Sequence, residues 1–541
     1  MAFKIAARTI LHLGGELISS DAVALYELIK NAFDAGSKEG VKIEVFVKLQ
    51  SWPGIWPTRF SELSQASKGV SSIQDKINLL KTELIAAVDM SAVGAAEFTQ
   101  QIRAAASLDQ LRSIVEQANQ IVISDTGHGM SKSDLTEIYL TIGTRYRREE
   151  KENLKESGRG HERPILGEKG IGRLSVMRLG QKVRVKTTRS GETNWNLLEI
   201  DWSRFSHDSD ELLEEIHVEP RTGEAKDHRH DKGTTITISS LNSRWAKANL
   251  LEFAGNEAAK FNSPFDEEKR YKVILRFNGE IIPIKDFDEM ILNSAHAHVL
   301  GNLSIEDGLP HLRGKVDYRQ HKKQRTFHLE AAQLTSVTGV TINEIVGLGP
   351  FNMEVFWFNR RLLQKKEDGG VSISDVIKTW AGGLMLYRDG FRVLPYGNAD
   401  DDWLDLDKKA LASQGYKVNR QQLVGHVDIS SIENPALNDQ SNREGLRESP
   451  EKNALVKLLK HIIEVELRGF LNEVDGEERA RLRLSFDEIE ERLTKEKTSL
   501  KKNLTELRKH RSESPHEQLL FKGIDDAVTS LEQLMEEQLL H

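Results

Sequence analysis

The chain has 541 residues, 38% of them hydrophobic and 29% charged, with a formal net charge of −8 and no cysteine. That length supports two to four domains; the lack of thiols excludes disulfides and thiolate metal sites, and the acidic balance excludes a uniformly basic nucleic-acid binder while leaving room for local basic patches. No run of about 18 apolar residues is present to cross a bilayer, and the start at Met1–Arg8 has neither a long apolar stretch nor a cleavage pattern, so a cytoplasmic protein with no membrane partner is expected.

Residues 1–20 read as a short strand or helix followed by Gly14-Gly15, and Ser19-Ser20-Asp21 caps the helix that comes next. In that helix Leu25, Leu28, Ile29, Ala32 and Phe33 have amphipathic spacing, while Glu27, Asn31 and Asp34 fall on one other edge. Burying such oxygen-bearing side chains without partners costs roughly several kcal/mol. The edge is therefore either a solvated face or a place where a magnesium ion and a water molecule compensate the three groups. Gly36 and Gly40 turn the chain into a period-two strand, Val41–Val47. Residues 50–118 read as a helical insertion: a loop containing Trp and Pro, then helix from about Ser72 to Gln117.

A second strand, Gln120–Ser124, delivers Asp125-Thr-Gly-His-Gly-Met130 and then a capped helix start at Ser131. A carboxylate at a strand end, beside glycines that admit another body close to the backbone, can accept the exocyclic amine of adenine. The alternative is a tight surface turn with aspartate as turn former. Thr141–Arg148 leads through a charged stretch to Leu166-Gly-Glu-Lys-Gly-Ile-Gly-Arg173, where Gly167, Gly170 and Gly172 precede a helix and Lys169 adds a point charge. Backbone amides and a helix N-terminus suit an anion, although such a loop can also be a simple connection. It is not a P-loop, because no Gly-Lys-Ser/Thr opens the helix. Val183–Thr187 and Gly233–Ile238 continue as strands.

These pieces, in this order over roughly residues 1–245, resemble the GHKL superfamily of ATPases, which includes the ninety-kilodalton heat-shock chaperones, MutL, type II topoisomerases, MORC proteins and sensor histidine kinases. The resemblance implies an α+β chain whose first domain is a two-layer α/β sandwich binding ATP and Mg2+, with an ATP lid over about 143–172. It implies Asn31 as magnesium ligand, Asp125 as adenine reader and Thr234 as a second contact near the base. The remaining nucleotide contacts it implies are Asp34, Gly127, Gly129 and Met130, Gly143 and Thr144 under the lid, and Gly167, Lys169, Gly170, Ile171 and Gly172. Sensor kinases generally lack a glutamate four residues before the asparagine. Glu27 therefore points to hydrolysis, orienting and deprotonating the attacking water, a role worth about 10²- to 10⁴-fold in rate.

Residues 246–450 read as a second α+β module, with strands at Tyr271–Phe277, Phe351–Phe358 and Gly383–Tyr387 and a helix over Ser372–Trp380. Tyr387–Tyr396, Val424–Asp428 and Asn434–Gly445 resemble the transducer or middle domain of the chaperone, MutL and MORC members. In the chaperones a similar Asn-x-x-Arg-Glu segment sends an arginine to the γ-phosphate. Arg443 matches it, although Gln440 stands where that pattern has asparagine, and Lys417 is the alternative cation. Residues 451–541 are expected to be helical, with Leu482, Phe486, Ile489, Leu493, Leu500, Leu504 and Leu507 forming a seam for a hairpin or coiled coil that Ser512–Pro515 interrupts.

His228/His230 and His296/His298 are expected in surface loops rather than at a metal. The basic clusters Arg313–Arg325, Arg360–Lys366 and Lys495–Arg511 are either solvated faces or phosphate contacts. The expectation is an ATP hydrolase working as an ATP-dependent homodimeric clamp, on DNA or with a partner protein, in genome maintenance or phage defence. A chaperone for protein clients and an ATP-sensing scaffold are the alternatives.

Overall fold

Val41, Ile43 and Val45 are fully buried while the residues between them are partly exposed, the period of two imposed on a strand with one covered face. In the computed structural model, which describes residues 5–66, 73–141, 172–205, 211–263, 265, 271–287, 290–360, 362–363, 377, 379–412, 415–440, 445–509 and 515–539, this strand lies inside a large mixed sheet. Its strands are β1 (Val41–Phe46), β2 (Gln120–Asp125), β3 (Gly180–Thr188), β4 (Asn194–Asp201), β5 (Arg221–Ala225), β6 (Gly233–Leu241), β7 (Val273–Phe277) and β8 (Glu280–Ile282). They are arranged β5-β4-β3-β6-β2-β1-β7-β8, and β1 and β7 form its parallel pair. Helices α1 (Arg8–Leu17), α2 (Asp21–Asp34), Val176–Leu179 and Lys247–Asn256 bring Leu25, Ile29, Leu179 and Leu250 into one apolar core with Ile43, Ile121 and Ile238 of the sheet. Residues 8–17 are thus a helix, and it runs through Gly14-Gly15, where α1 meets the Val176–Leu179 helix.

Between β1 and β2 the described residues of the insertion form four helices, α3 (Trp56–Ala66), α4 (Ile73–Ala86), α5 (Ala95–Ala104) and α6 (Leu108–Glu116). They have a core of their own, including Trp52, Trp56, Phe60, Leu84, Phe98, Ile102 and Leu111. Helix begins earlier than expected, because the Trp and Pro residues read as a loop supply Trp52 and Trp56 to this core. Asn119 closes the mouth of the insertion: its Oδ1 accepts from the amides of Lys48 and Leu49, each at 3.0 Å, and its Nδ2 donates to Leu49 O at 2.8 Å.

The strand expected at Tyr271–Phe277 belongs to this first sheet rather than to a second module. Val41 N donates to Lys272 O at 2.9 Å, and Asn278 exchanges two hydrogen bonds with Val47, 2.8 and 3.1 Å long. Alternation alone does not say which sheet a strand joins, and the first sheet therefore extends past residue 245.

The second sheet comprises β9 (Ala297–Glu306), β10 (Leu309–Tyr318), β11 (Lys323–Glu330), β12 (Phe351–Trp357), β13 (Gly383–Arg388), β14 (Phe391–Arg392) and β15 (Leu423–Ile429), arranged β11-β10-β9-β12-β15-β13-β14. Helices Ala331–Thr338, Ile342–Leu348 and Pro450–His461 assemble beside it. Of the helix expected at Ser372–Trp380, Ile377, Thr379 and Trp380 are described; Ile377 and Trp380 are buried with Phe356, Met385 and Val424. His298 is not in a surface loop, and His296 is half-buried at the bend just before β9. His298 lies in β9 with its Nε2 2.8 Å from Glu354 Oε1 and its ring stacked on Phe356, and His296 Nδ1 accepts from Asn359 N at 3.1 Å.

Residues 1–470 form one compact unit and residues 471–541 another. The second contains most of helix Arg468–Lys509 and all of helix Pro515–Leu539. Leu482, Phe486, Ile489, Leu493 and Leu500 are between 41% and 68% exposed, so among the described residues of its own unit nothing covers this part of the expected seam. Among the described residues no helix is long and apolar enough to cross a membrane.

Candidate functional site

Ser20 opens α2 by accepting Val23 N at 3.2 Å, so the helix starts where the capping signal placed it. Leu25, Leu28, Ile29 and Ala32 enter the core. Glu27 and Asp34, on another edge, are only 2% exposed. The edge is therefore not a solvated face. The two carboxylates are covered and the Asn31 amide between them is half-buried, an arrangement that is costly without compensation.

Gly172 shows what meets this edge. A β-carbon placed on it would lie 2.6 Å from Glu27 Oε2 and 3.5 Å from Asn31 Nδ2. The last glycine of the Gly167–Gly172 motif thus lies beside Glu27 and Asn31, and a side chain there would push the Glu27 carboxylate aside. Ser175 Oγ donates to Gly172 O at 2.6 Å and fixes the turn that begins the following helix.

The C-terminal end of α2 is fastened to the Asp125 turn. Ala35 O accepts His128 N at 2.8 Å, and Ser37 Oγ accepts Thr126 N at 3.0 Å while donating to Gly40 O at 2.6 Å. Asp125 ends β2 opposite Thr234 of β6. Burial pushes its carboxyl up to about 6, against the opposing effect of the backbone amides of Gly127 and Thr234 that donate to it. A carboxylate that its surroundings leave reluctant to ionise gains from a ligand N–H donor.

Gly129 has a φ of +69° and a β-carbon there would collide with the Thr188 carbonyl, so the turn is fitted to glycine. Thr187 Oγ1 accepts Met130 N at 2.9 Å, donates to Gly233 O at 3.0 Å and lies 3.0 Å from Thr234 Oγ1. Met130 O accepts Asn196 Nδ2 at 3.1 Å. Thr187 is the residue that the sequence reading missed: a threonine in an alternating strand looks like an ordinary strand former, and nothing in the sequence marks its contact with β6.

The structure therefore brings together Glu27, Asn31 and Gly172 on one side, and Asp125, Gly127, Gly129, Met130 and Thr234 on the other, joined through the end of α2. Gly143, Thr144, Gly167, Lys169, Gly170, Ile171 and Arg443 lie outside the described residues. Lys417 is exposed. Its neighbour Tyr416 lies against Trp357, and its hydroxyl is 3.0 Å from that of Tyr318, near the Leu423 end of β15. Arg388 of β13 is in register with Ile429, at the other end of that strand.

Glu27, Asn31 and Asp34 offer oxygen donors only, the chemistry that suits a hard cation such as Mg2+. Among the described residues no cluster of three or more His, Asp or Glu side chains is assembled as a metal site. A cation here would then take most of its ligands from phosphate and water, as Mg2+ commonly does.

Residues 105–234 match the family described as histidine kinase-, DNA gyrase B- and HSP90-like ATPase. The match starts within the insertion, so it contains the Asp125 turn and Thr234 but not α2. No curated protein matches the chain.

Proposed function

Given that this chain carries a GHKL-type ATPase domain, we propose that it binds ATP with Mg2+ between α2 and the Asp125 turn, hydrolyses it, and acts as a nucleotide-gated homodimeric clamp on DNA or a partner protein. The observation that carries this reading is the contact of Gly172 with Glu27 and Asn31. It puts Gly172, the last residue of the glycine motif, beside Glu27 and Asn31 of α2, which supports a phosphate and its magnesium ion meeting there.

In this reading Asp125 and Thr234 read the adenine, with Thr187 holding the Met130 amide and the Thr234 hydroxyl in place. Asn31 gives its amide oxygen to the magnesium ion. When bound, that ion supplies neutralisation of the charge on the phosphate oxygens. Glu27 accepts the proton of a water whose oxygen attacks the γ-phosphorus; the bond to the β-phosphate oxygen breaks, giving ADP and phosphate. Burial on the covered face keeps bulk water from Glu27 and strengthens each electrostatic contact made there.

A cation facing the developing charge is assigned to Arg443 rather than Lys417. Gln440 N donates to Gly445 O at 2.8 Å, and Asp439 pairs with Leu446, so the chain on both sides of residues 441–444 is held together. Asp439 also faces Lys30, the residue before Asn31, at 3.6 Å. The dimer is supported by the exposed apolar residues Leu482, Phe486, Ile489 and Leu493, spaced four, three and four apart, the pattern of a two-helix seam.

The test is calorimetry with MgATP and MgGTP, paired with phosphate release. Heat with MgATP, far weaker heat with MgGTP, and release of phosphate are expected. A folded protein that gives no heat with MgATP overturns the reading.

A further inference from the structure

Helix α2 carries a second stripe that the nucleotide site does not use. Tyr26, Lys30 and Phe33 follow one another at helical spacing, each one residue before Glu27, Asn31 and Asp34, and so about 100° round the helix from them. Each of the three touches the second sheet's edge or the segments beside it. Tyr26 Oη donates to Arg392 O at 2.5 Å, and its ring lies 5.2 Å from that of Phe391. Phe33 packs edge-on against Tyr271 and Phe391. Lys30 faces Asp439 at 3.6 Å, and Arg388 Nη1 donates to the other oxygen of the same carboxylate at 2.6 Å.

Lys30, Asp439 and Arg388 are each at most 6% exposed at the side chain. Arg388 also donates to Leu437 O at 2.5 Å, anchoring the segment that leads into Asp439. A buried carboxylate between two cations is weak evidence of stability, because desolvation offsets much of the attraction, but its geometry is exacting and breaking it leaves charge uncompensated. Apolar contacts from Tyr26 and Phe33 would suffice to attach α2 here. The ion triad adds a fixed rotation of the helix about its axis, which sets where Glu27 and Asn31 point.

Resting on the hydrolase reading above, we propose that Lys30 and Asp439, with Arg388, are positioning residues for hydrolysis. They hold α2 so that Glu27 and Asn31 meet the γ-phosphate, and they tie that geometry to the second sheet. Their effect is chiefly on turnover, because the Asp125 turn has supports of its own, Thr187 holding Met130 N and lying against Thr234. A displacement of about 1 Å at a reacting group can cost about 100-fold in rate.

The experiment compares native protein with Lys30→Met, Asp439→Asn and Lys30→Arg in full-length form, measuring kcat, KM, MgATP affinity by calorimetry and the melting temperature. The expected result is a fall of about 10- to 100-fold in kcat for Lys30→Met and Asp439→Asn, with MgATP affinity retained and the rate largely recovered in Lys30→Arg. Asp439→Asn, nearly isosteric, keeps the test open should Lys30→Met not fold. Native kcat in either folded variant overturns the inference alone, as does a parallel loss of affinity and kcat that follows the melting temperature and is not recovered by Lys30→Arg. A native protein that does not hydrolyse ATP overturns the hydrolase reading together with this one.

Discussion

Asp125 gives the site a pH dependence whose two signs oppose each other. Its folded value of about 6 lies above the ordinary 3.8, so without ligand the fold favours the protonated acid. That contribution to stability is complete below about pH 3.8 and is lost as pH rises through about 6. In the proposed function adenine recognition needs the Asp125 carboxylate instead, so ATP affinity should be full above about pH 6 and fall by up to about tenfold per pH unit below it. Calorimetry from pH 5 to 8 checks this; Asp125→Asn should flatten the profile and weaken binding, whereas an unchanged profile would remove Asp125 from the base pocket. Gly129→Ala should cost about 1–3 kcal/mol from the forced left-handed backbone alone, plus the collision with Thr188, readable as a lower melting temperature. The places of these two residues in the fold were legible because each is a residue type with a narrow use, an aspartate at a strand end and a glycine with a positive φ. Those of Thr187, Lys30 and Asp439 were not, since their contacts are with partners distant in sequence, and a lysine on an amphipathic helix reads first as solvated.

Among elements, the helix α2 was legible from the spacing of Leu25, Leu28, Ile29 and Ala32, whereas the burial of Glu27 and Asp34 was not. The helical character of the insertion was also legible, but its independence was not: Trp52 and Trp56 looked like loop residues until the core around them was in view. That separate core predicts separable effects. Phe60→Ala, at a site 1% exposed, should cost about 3–5 kcal/mol of local stability while leaving MgATP affinity intact. A loss of affinity matching the loss of stability would mean that the insertion and the site fold as one. The strand Val273–Phe277 was recognised as a strand and assigned to the wrong sheet, because a period of two records which face is buried and not which neighbour supplies the hydrogen bonds. The β9–β10–β11 meander went unread for a related reason. Its basic residues drew attention as a surface cluster, yet Arg319 donates to Leu292 O at 2.7 Å and Arg325 to Glu466 O at 2.9 Å, so part of that charge is spent within the chain.

At the scale of the whole molecule, the proposed clamp depends on nucleotide favouring one association state over another, and a ligand can shift that balance only by its difference in affinity for the two. A nonhydrolysable ATP analogue should move the protein toward dimer in sedimentation velocity, and Phe486→Asp together with Ile489→Asp should oppose that shift by charging the exposed seam. Salt-dependent DNA binding measured with and without ATP separates a clamp on DNA from one on a protein partner. All of this rests on Glu27 acting on a water at the γ-phosphate. The measurement that meets that claim most directly is phosphate release by Glu27→Ala alongside its MgATP affinity: the account predicts native affinity with turnover lowered by about 10²- to 10⁴-fold, and turnover at the native rate would contradict it.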